Sequence, residues 1–162
     1  MLIRKGKPED LKRIMDLFVD ARAYMAEQGN PDQWRDTWPP EDVIVDDIER
    51  EMNYVCEDDN GLVVGTFYLG ISPDPTYHVI YDGQWVDDEK DYVVIHRITT
   101  DRNTKGVGKF IFEWVYENFG NTRVDTHKDN IPMQGLIKSQ GFTYCGIILL
   151  EDGDPRIAFQ KV

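Results

Sequence analysis

The stretch from Tyr92 to Phe119 constrains this chain most. Tyr-Val-Val-Ile-His-Arg-Ile-Thr-Thr, residues 92–100, is an apolar, β-branched run that reads as a buried strand. The next segment, Asp101 to Lys109, carries Gly106 and Gly108. From Val107 a helical pattern sets Phe110, Ile111, Trp114, Val115 and Phe119 on one face. Strand, glycine loop and helix start, in that order, aim free backbone N–H groups and the positive end of a helix dipole at one point. Phosphate or pyrophosphate suits such a point, because glycine lets the chain approach an anion closely. Charge agrees: Arg97, Arg102, Lys105 and Lys109 stand against Asp101 alone, in a chain of net charge −12.

Two phosphate motifs do not fit this loop. A P-loop needs glycine at 103, which is Asn103, and a hydroxyl after Gly108-Lys109, where Phe110 stands. A dinucleotide fingerprint needs a third glycine at 111, which is Ile111. The acidic balance, 18 Lys+Arg against 30 Asp+Glu, argues against nucleic acid or an anionic membrane as the partner. No apolar run reaches the ~18–20 residues that span a bilayer. The N-terminal basic residues have no apolar stretch behind them, so a cytoplasmic protein is expected. Cys56 and Cys145 are too few for a disulfide framework and read as small buried hydrophobes. The three histidines have no ligand spacing, so no metal is expected.

At 162 residues the chain fits one domain, 1–162. Leu2–Arg4 is strand-like. Pro8 opens a helix with Leu11, Ile14, Met15 and Phe18 on its inner side, running on towards Met25 and stopped by Gly29-Asn30-Pro31. A Trp- and Pro-rich loop (Gln33, Trp34, Trp38) leads to an acidic helix, Glu41–Glu51, with Val43, Ile44, Asp47 and Ile48 inward. Strands Asn53–Glu57 and Leu62–Ile71 flank Asn60-Gly61, a hairpin signal. Residues 72–91 are a long aromatic excursion; loops of that length tend to be functional. After the central strand and helix come strand Thr122–Thr126, helix Pro132–Ser139 and strands Phe142–Leu150 and Arg156–Lys161. The order β-α-α-β-β-β-α-β-α-β-β predicts an α/β (α+β) domain with a mixed sheet.

From Ile98 onward the chain resembles the GNAT superfamily of N-acetyltransferases. Asn103-Thr-Lys-Gly106-Val-Gly108 aligns with that family's acyl-CoA loop, Gln/Arg-x-x-Gly-x-Gly/Ala. Val124-Asp-Thr-His-Lys-Asp-Asn130, Met133, Leu136 and Gly141-Phe142 follow the family's second half. The resemblance covers residues 92–150 well and 1–71 more loosely. It is closer still to a bacterial subgroup, of unassigned acceptor, that shares Gln33-Trp34, Ile95-His96-Arg97 and Tyr144-Cys-Gly-Ile. It implies a mostly antiparallel sheet with a splayed parallel strand pair and about four flanking helices. The implied activity is acetyl transfer from acetyl-CoA to a primary amine of a small molecule or peptide, a small amine being favoured. A non-catalytic acyl-CoA-binding or sensor module is the alternative, and a homodimer is a family arrangement.

Under that resemblance the backbone from Asn103 through Thr104, Lys105, Gly106, Val107 and Gly108 to Lys109 would hold the pyrophosphate. Ile98, with Thr99 and Thr100, would line the pantetheine arm and polarise the acetyl carbonyl, and Asn130 and Met133 would flank it. Asn103 replaces the usual Gln or Arg, with Arg102 beside it to compensate. Ile137 replaces the Tyr that commonly protonates the departing thiolate, leaving that role empty or to Ser139, Tyr144 or water. An amine of pKa near 10 must lose a proton before attack. His96 leads as base, being two residues before Ile98 and so on the same strand face. His127 is second, at the V-shaped opening where the family's cofactor enters. Each also reads as a histidine supporting a strand end. Gln33, Trp34, Tyr77, Trp85 and Arg97 are the candidate acceptor contacts, although the rings also read as core cover. The eleven acids in 31–60 form either an acidic rim or a solvated face.

Overall fold

The computed structural model describes all 162 residues. Seven strands form one sheet: β1 (Leu2–Lys5), β2 (Asn53–Glu57), β3 (Val63–Ile71), β4 (Val93–Thr100), β5 (Thr122–Thr126), β6 (Thr143–Leu149) and β7 (Pro155–Lys161). The helices are α1 (Leu11–Glu27), α2 (Glu41–Glu49), α3 (Val107–Phe119) and α4 (Ile131–Ser139). Pro8–Asp10, expected as the first turn of α1, is a short 3₁₀ turn leading into it. The strand order is β1-β2-β3-β4-β5-β7-β6, and every neighbouring pair is antiparallel except β4 with β5. That parallel pair holds only from Val93–Ile95 against Thr122–Val124. From His96 onward the edge of β4 facing β5 has no strand partner, so the sheet splits there.

Each face of the sheet is covered differently. On one, α3 and α4 bury Val107, Ile111, Phe112, Val115 and Ile137 over Phe67, Ile95, Val124 and Phe159. Within α3 the buried stripe is turned from the expected one: Phe112 is in the core, edge-on to Phe142, while Phe119 is 43% exposed. On the opposite face α1, α2 and Trp34 cover Val55 and Val63. The 72–91 excursion covers the rest, setting Tyr77 and Trp85 on Val94, Cys145, Ile148 and Ala158. Its Tyr81 exchanges two backbone hydrogen bonds with Ile147 of the edge strand β6. Arg123 is 1% exposed, with its guanidinium 3.9 Å from the Trp85 and Tyr92 ring centres, and it donates to the Asp87 carbonyl. Cys56 and Cys145 are buried. Between the α1–α2 loop and the excursion this face stays uncovered, just where β4 and β5 part.

Candidate active site

A cleft of about 690 Å³ opens at that gap, a size typical of small-molecule sites. Gln33, Trp34, His96, Arg97, Ile98, Asn130 and Met133 line it, seven of the residues singled out from sequence.

Alternation along β4 fails at the critical point. Thr66 pairs with Thr99 but Tyr68 with His96, so Arg97 and Ile98 together oppose Phe67 in a β-bulge. Arg97 takes up the extra residue at φ 48°, a left-handed conformation rare for a side chain of this size. The bulge corrects the expected geometry. Ile98 turns back into the α3-side core with Val93 and Ile95, whereas His96 faces the other side with Val94. The two still meet at the split, because both line the cleft.

Two carboxylates hold His96. Its Nε2 lies 2.8 Å from Asp74 Oδ2 and its Nδ1 3.5 Å from Asp125 Oδ1. Burial favours the protonated Asp74. The His96 hydrogen bond, with the Thr76 N–H and hydroxyl, outweighs it and holds that carboxyl at about 2. With Asp74 ionised, the ring nitrogen facing it carries a proton, and Nδ1 is turned towards Asp125 at the cleft. Tyr77 is 1% exposed, so it is no acceptor contact; its hydroxyl donates to Asp125 Oδ1 at 2.6 Å. Burial first, then the Asp125 charge, push its pKa well above the ordinary tyrosine value. It remains a neutral donor that fixes Asp125.

Arg97 is also committed. Its Nε and Nη2 donate to the two oxygens of buried Asp47 at 2.9 Å, and its guanidinium lies 4.4 Å from the Tyr68 ring centre. Tyr68 stacks in turn on His96. Gln33 Oε1 accepts from Asn30 Nδ2 and Asn130 Nδ2. Asn130 Oδ1 caps α4 by accepting from the Met133 N–H. Both ends of the Asn130 side chain are thus used inside the protein, whereas sequence reasoning reserved them for the cofactor arm.

Other candidates lie elsewhere. Trp85 is core, its Nε1 donating to the Tyr77 carbonyl. His127 shapes the turn before α4: its Nδ1 accepts the Asp129 N–H, and burial, then the Arg156 charge, lower its pKa. Tyr144 is 49% exposed, edge-on to Phe159, because the β6 alternation points it away from the cleft. Ser139 is exposed and donates to the Leu136 carbonyl.

At the far end of β4 the segment Asp101–Gly106 folds on the Asp101 carboxylate, which accepts from the Thr104 hydroxyl. Thr99 is buried and Thr100 half-buried as the strand enters this segment. The N–H groups of Lys105, Gly106, Val107, Gly108 and Lys109 find no acceptor in the protein; the first helical bond runs from Phe110 to Gly106. Gly106 caps α3 at φ 79°, which needs glycine. Gly108 serves packing, since a Cβ there would meet Leu136 Cδ2 of α4 at 2.7 Å. The expected basic island is dispersed: Arg97 pairs with Asp47, Arg102 with Glu27 and Lys109 with Glu113. Of the four cations only Lys105 has no ion pair, so anion attraction here rests on main-chain N–H groups and Lys105, and Arg102, drawn to α1, does not stand in for the residue expected at 103.

Sequence reasoning missed Asp74, Asp125, Tyr68 and Arg156. Asp125 sits in the segment quoted for the family resemblance, where it passed as a strand residue. Asp74 had no local signal.

No protein-family model matches the chain, and no curated protein matches it. Solved structures do. An acetyltransferase of the GNAT family from Streptococcus agalactiae is 30% identical, the match covering 99% of this chain and 94% of that one at a TM-score of 0.91. A GNAT-family acetyltransferase from Listeria monocytogenes shares the fold at 22% identity, over 99% of this chain and 93% of that one, with a TM-score of 0.68. A phosphinothricin acetyltransferase from Sinorhizobium meliloti, solved with acetyl-CoA, shares it at 14% identity, over 99% and 86%, with a TM-score of 0.64.

Proposed function

The chain belongs to the GNAT family of acetyltransferases, and from that premise we propose an acetyl-CoA-dependent N-acetyltransferase acting on a primary amine by direct attack. One observation carries the reading. The open edge of β4 begins at His96, and the chain beyond it ends in five successive free N–H groups. A pyrophosphate fits the N–H groups of Lys105–Lys109 and the α3 dipole behind them. The main chain of Ile98, Thr99 and Thr100 along the open edge, with Met133 opposite, would flank the pantetheine arm.

When bound, acetyl-CoA supplies the acetyl group as a thioester whose leaving group is a thiol. His96 Nδ1 takes the proton of the acceptor amine. Asp74 fixes the ring and Asp125, aimed by Tyr77, faces the charge that forms. Ile137 is fully buried and apolar, and neither Ser139 nor Tyr144 reaches the cleft. The thiolate therefore takes its proton from water, which a thiol of pKa near 8.5 tolerates.

Thermal unfolding with acetyl-CoA, CoA, ATP and NAD tests the reading. Ligand at about 100 times Kd adds roughly 2.7 kcal/mol, a rise of about 5–10 °C at this size. The expected result is a rise with both CoA forms and none with ATP or NAD. No rise with either CoA form overturns it.

A further inference from the structure

Four arginines line the cleft, and three of them face a carboxylate. Arg97 forms its two-pronged pair with Asp47, Arg35 lies 3.6 Å from Asp154 and Arg50 3.4 Å from Asp46. Arg156 is the exception. It is 5% exposed on the inner side of β7, yet no carboxylate lies within 4 Å of it. Its Nη1 donates to the Pro155 carbonyl at 3.0 Å and its Nη2 to the Gln33 carbonyl at 3.1 Å. A guanidinium has five N–H groups, so three remain unspent. The Asp125, Asp154 and Asp152 carboxylates act on the Arg156 charge only from beyond ion-pair distance, so no counter-ion touches it and its unspent N–H groups can receive an anion.

The rest of the wall narrows the anion. Asp32, Asp74, Asp125, Glu151, Asp152 and Asp154 also line this cleft. A dianionic phosphate would meet six like charges there. A single carboxylate on a molecule that also carries an ammonium meets complementary charge at both ends. Its ammonium faces Asp125 and His96, and its carboxylate faces Arg156, whose planar fork matches a carboxylate in two bonds.

We infer that the acceptor is a small amino-carboxylate, its amine presented at His96 and its carboxylate held by Arg156. The inference rests on the acetyl-transfer reading above and names the substrate class for that site.

The test compares matched acceptors: the proteinogenic L-amino acids, β-alanine and 4-aminobutyrate, each against its own carboxamide. Acetylation with acetyl-CoA is followed by release of free thiol, and binding by calorimetry. The wild-type enzyme is expected to favour the free carboxylate of its preferred acceptor by about 100-fold or more in kcat/KM, as for a charge-assisted fork in a desolvated site. Arg156→Gln brings that ratio to within about threefold of one, and Arg156→Lys restores it only in part. Should the Arg156 variants fail to fold, the wild-type ratio decides alone. Carboxamides that bind and react as well as the acids overturn the inference and leave acetyl transfer intact. Acids that bind wild type in preference to amides, yet are never acetylated, uphold the carboxylate site and overturn the acetyl-transfer reading. If neither set binds or reacts, the inference falls, and the unfolding test with acetyl-CoA decides the acetyl-transfer reading separately.

Discussion

One strand, β4, serves two subsites made of different material. Beyond its end, the five N–H groups of Lys105–Lys109 have no acceptor in the protein, and Lys105 is the one cation of the loop without an ion pair. At its middle, His96 is worked upon by side chains from distant parts of the chain. Asp74 comes from 22 residues away, and Tyr77, 48 residues from Asp125, fixes the second carboxylate. A main-chain cradle depends on backbone angles and on how closely a helix start packs. A side-chain network depends on which residues the fold brings together. Substitutions should therefore act differently at the two ends.

The largest effect is expected at the side-chain end. His96→Gln keeps a polar group but removes the base, and should lower kcat about 10³-fold while leaving acetyl-CoA affinity, read by calorimetry, within twofold. A comparable loss of affinity would mean the two subsites are not separable. Asp74→Asn should follow, at about 30-fold in kcat, because the ring loses its orienting partner. Asp74 also carries a pH signature. Its folded pKa, about 2, lies below the ordinary 3.8, so its contribution to stability is present above about pH 4 and is lost as pH falls through 2. Acid unfolding should show that loss in wild type and a weaker one in Asp74→Asn.

Smaller effects belong to the main-chain end. Gly106→Ala forces a Cβ into φ 79° and should cost about 1–2 kcal/mol of stability, with weaker acetyl-CoA binding and little change in kcat at saturation. Thermal unfolding and titration read the two parts. Asn103→Ala should be the mildest change, within about twofold in acetyl-CoA affinity, because position 103 lies outside the five free N–H groups and its own N–H donates to the Asp101 carboxylate. A tenfold loss there would show that side chains matter at this end too.

The same division explains what the amino-acid pattern reveals. Gly106 marks a left-handed cap, a local need that made the glycine loop legible, whereas the contact that Gly108 allows is with Leu136 of α4, far along the chain. Apart from the start of α1, which lies at Leu11 and not at Pro8, strand and helix limits agree to within one or two residues, since the apolar periods that define them are local as well. The bulge was not legible. Nothing in His96-Arg97-Ile98 announces that Arg97 takes φ 48°, so simple alternation set His96 and Ile98 on one face. Trp85 looked like a substrate contact because an aromatic in a long loop has no visible partner; its partner, Arg123, lies 38 positions on and stacks against it. The basic island dispersed for the same reason, since Asp47 and Glu27 come from elsewhere in the chain to claim Arg97 and Arg102. Ion pairing over such separations leaves no trace in spacing.

The central claim is that bare main-chain groups after β4 hold acetyl-CoA. Backbone amide NMR of the ¹⁵N-labelled protein tests it most directly. On titration with acetyl-CoA the amide signals of Lys105, Gly106, Val107, Gly108 and Lys109 should move together and saturate at one affinity. Saturating acetyl-CoA that leaves those five signals in place would contradict the account.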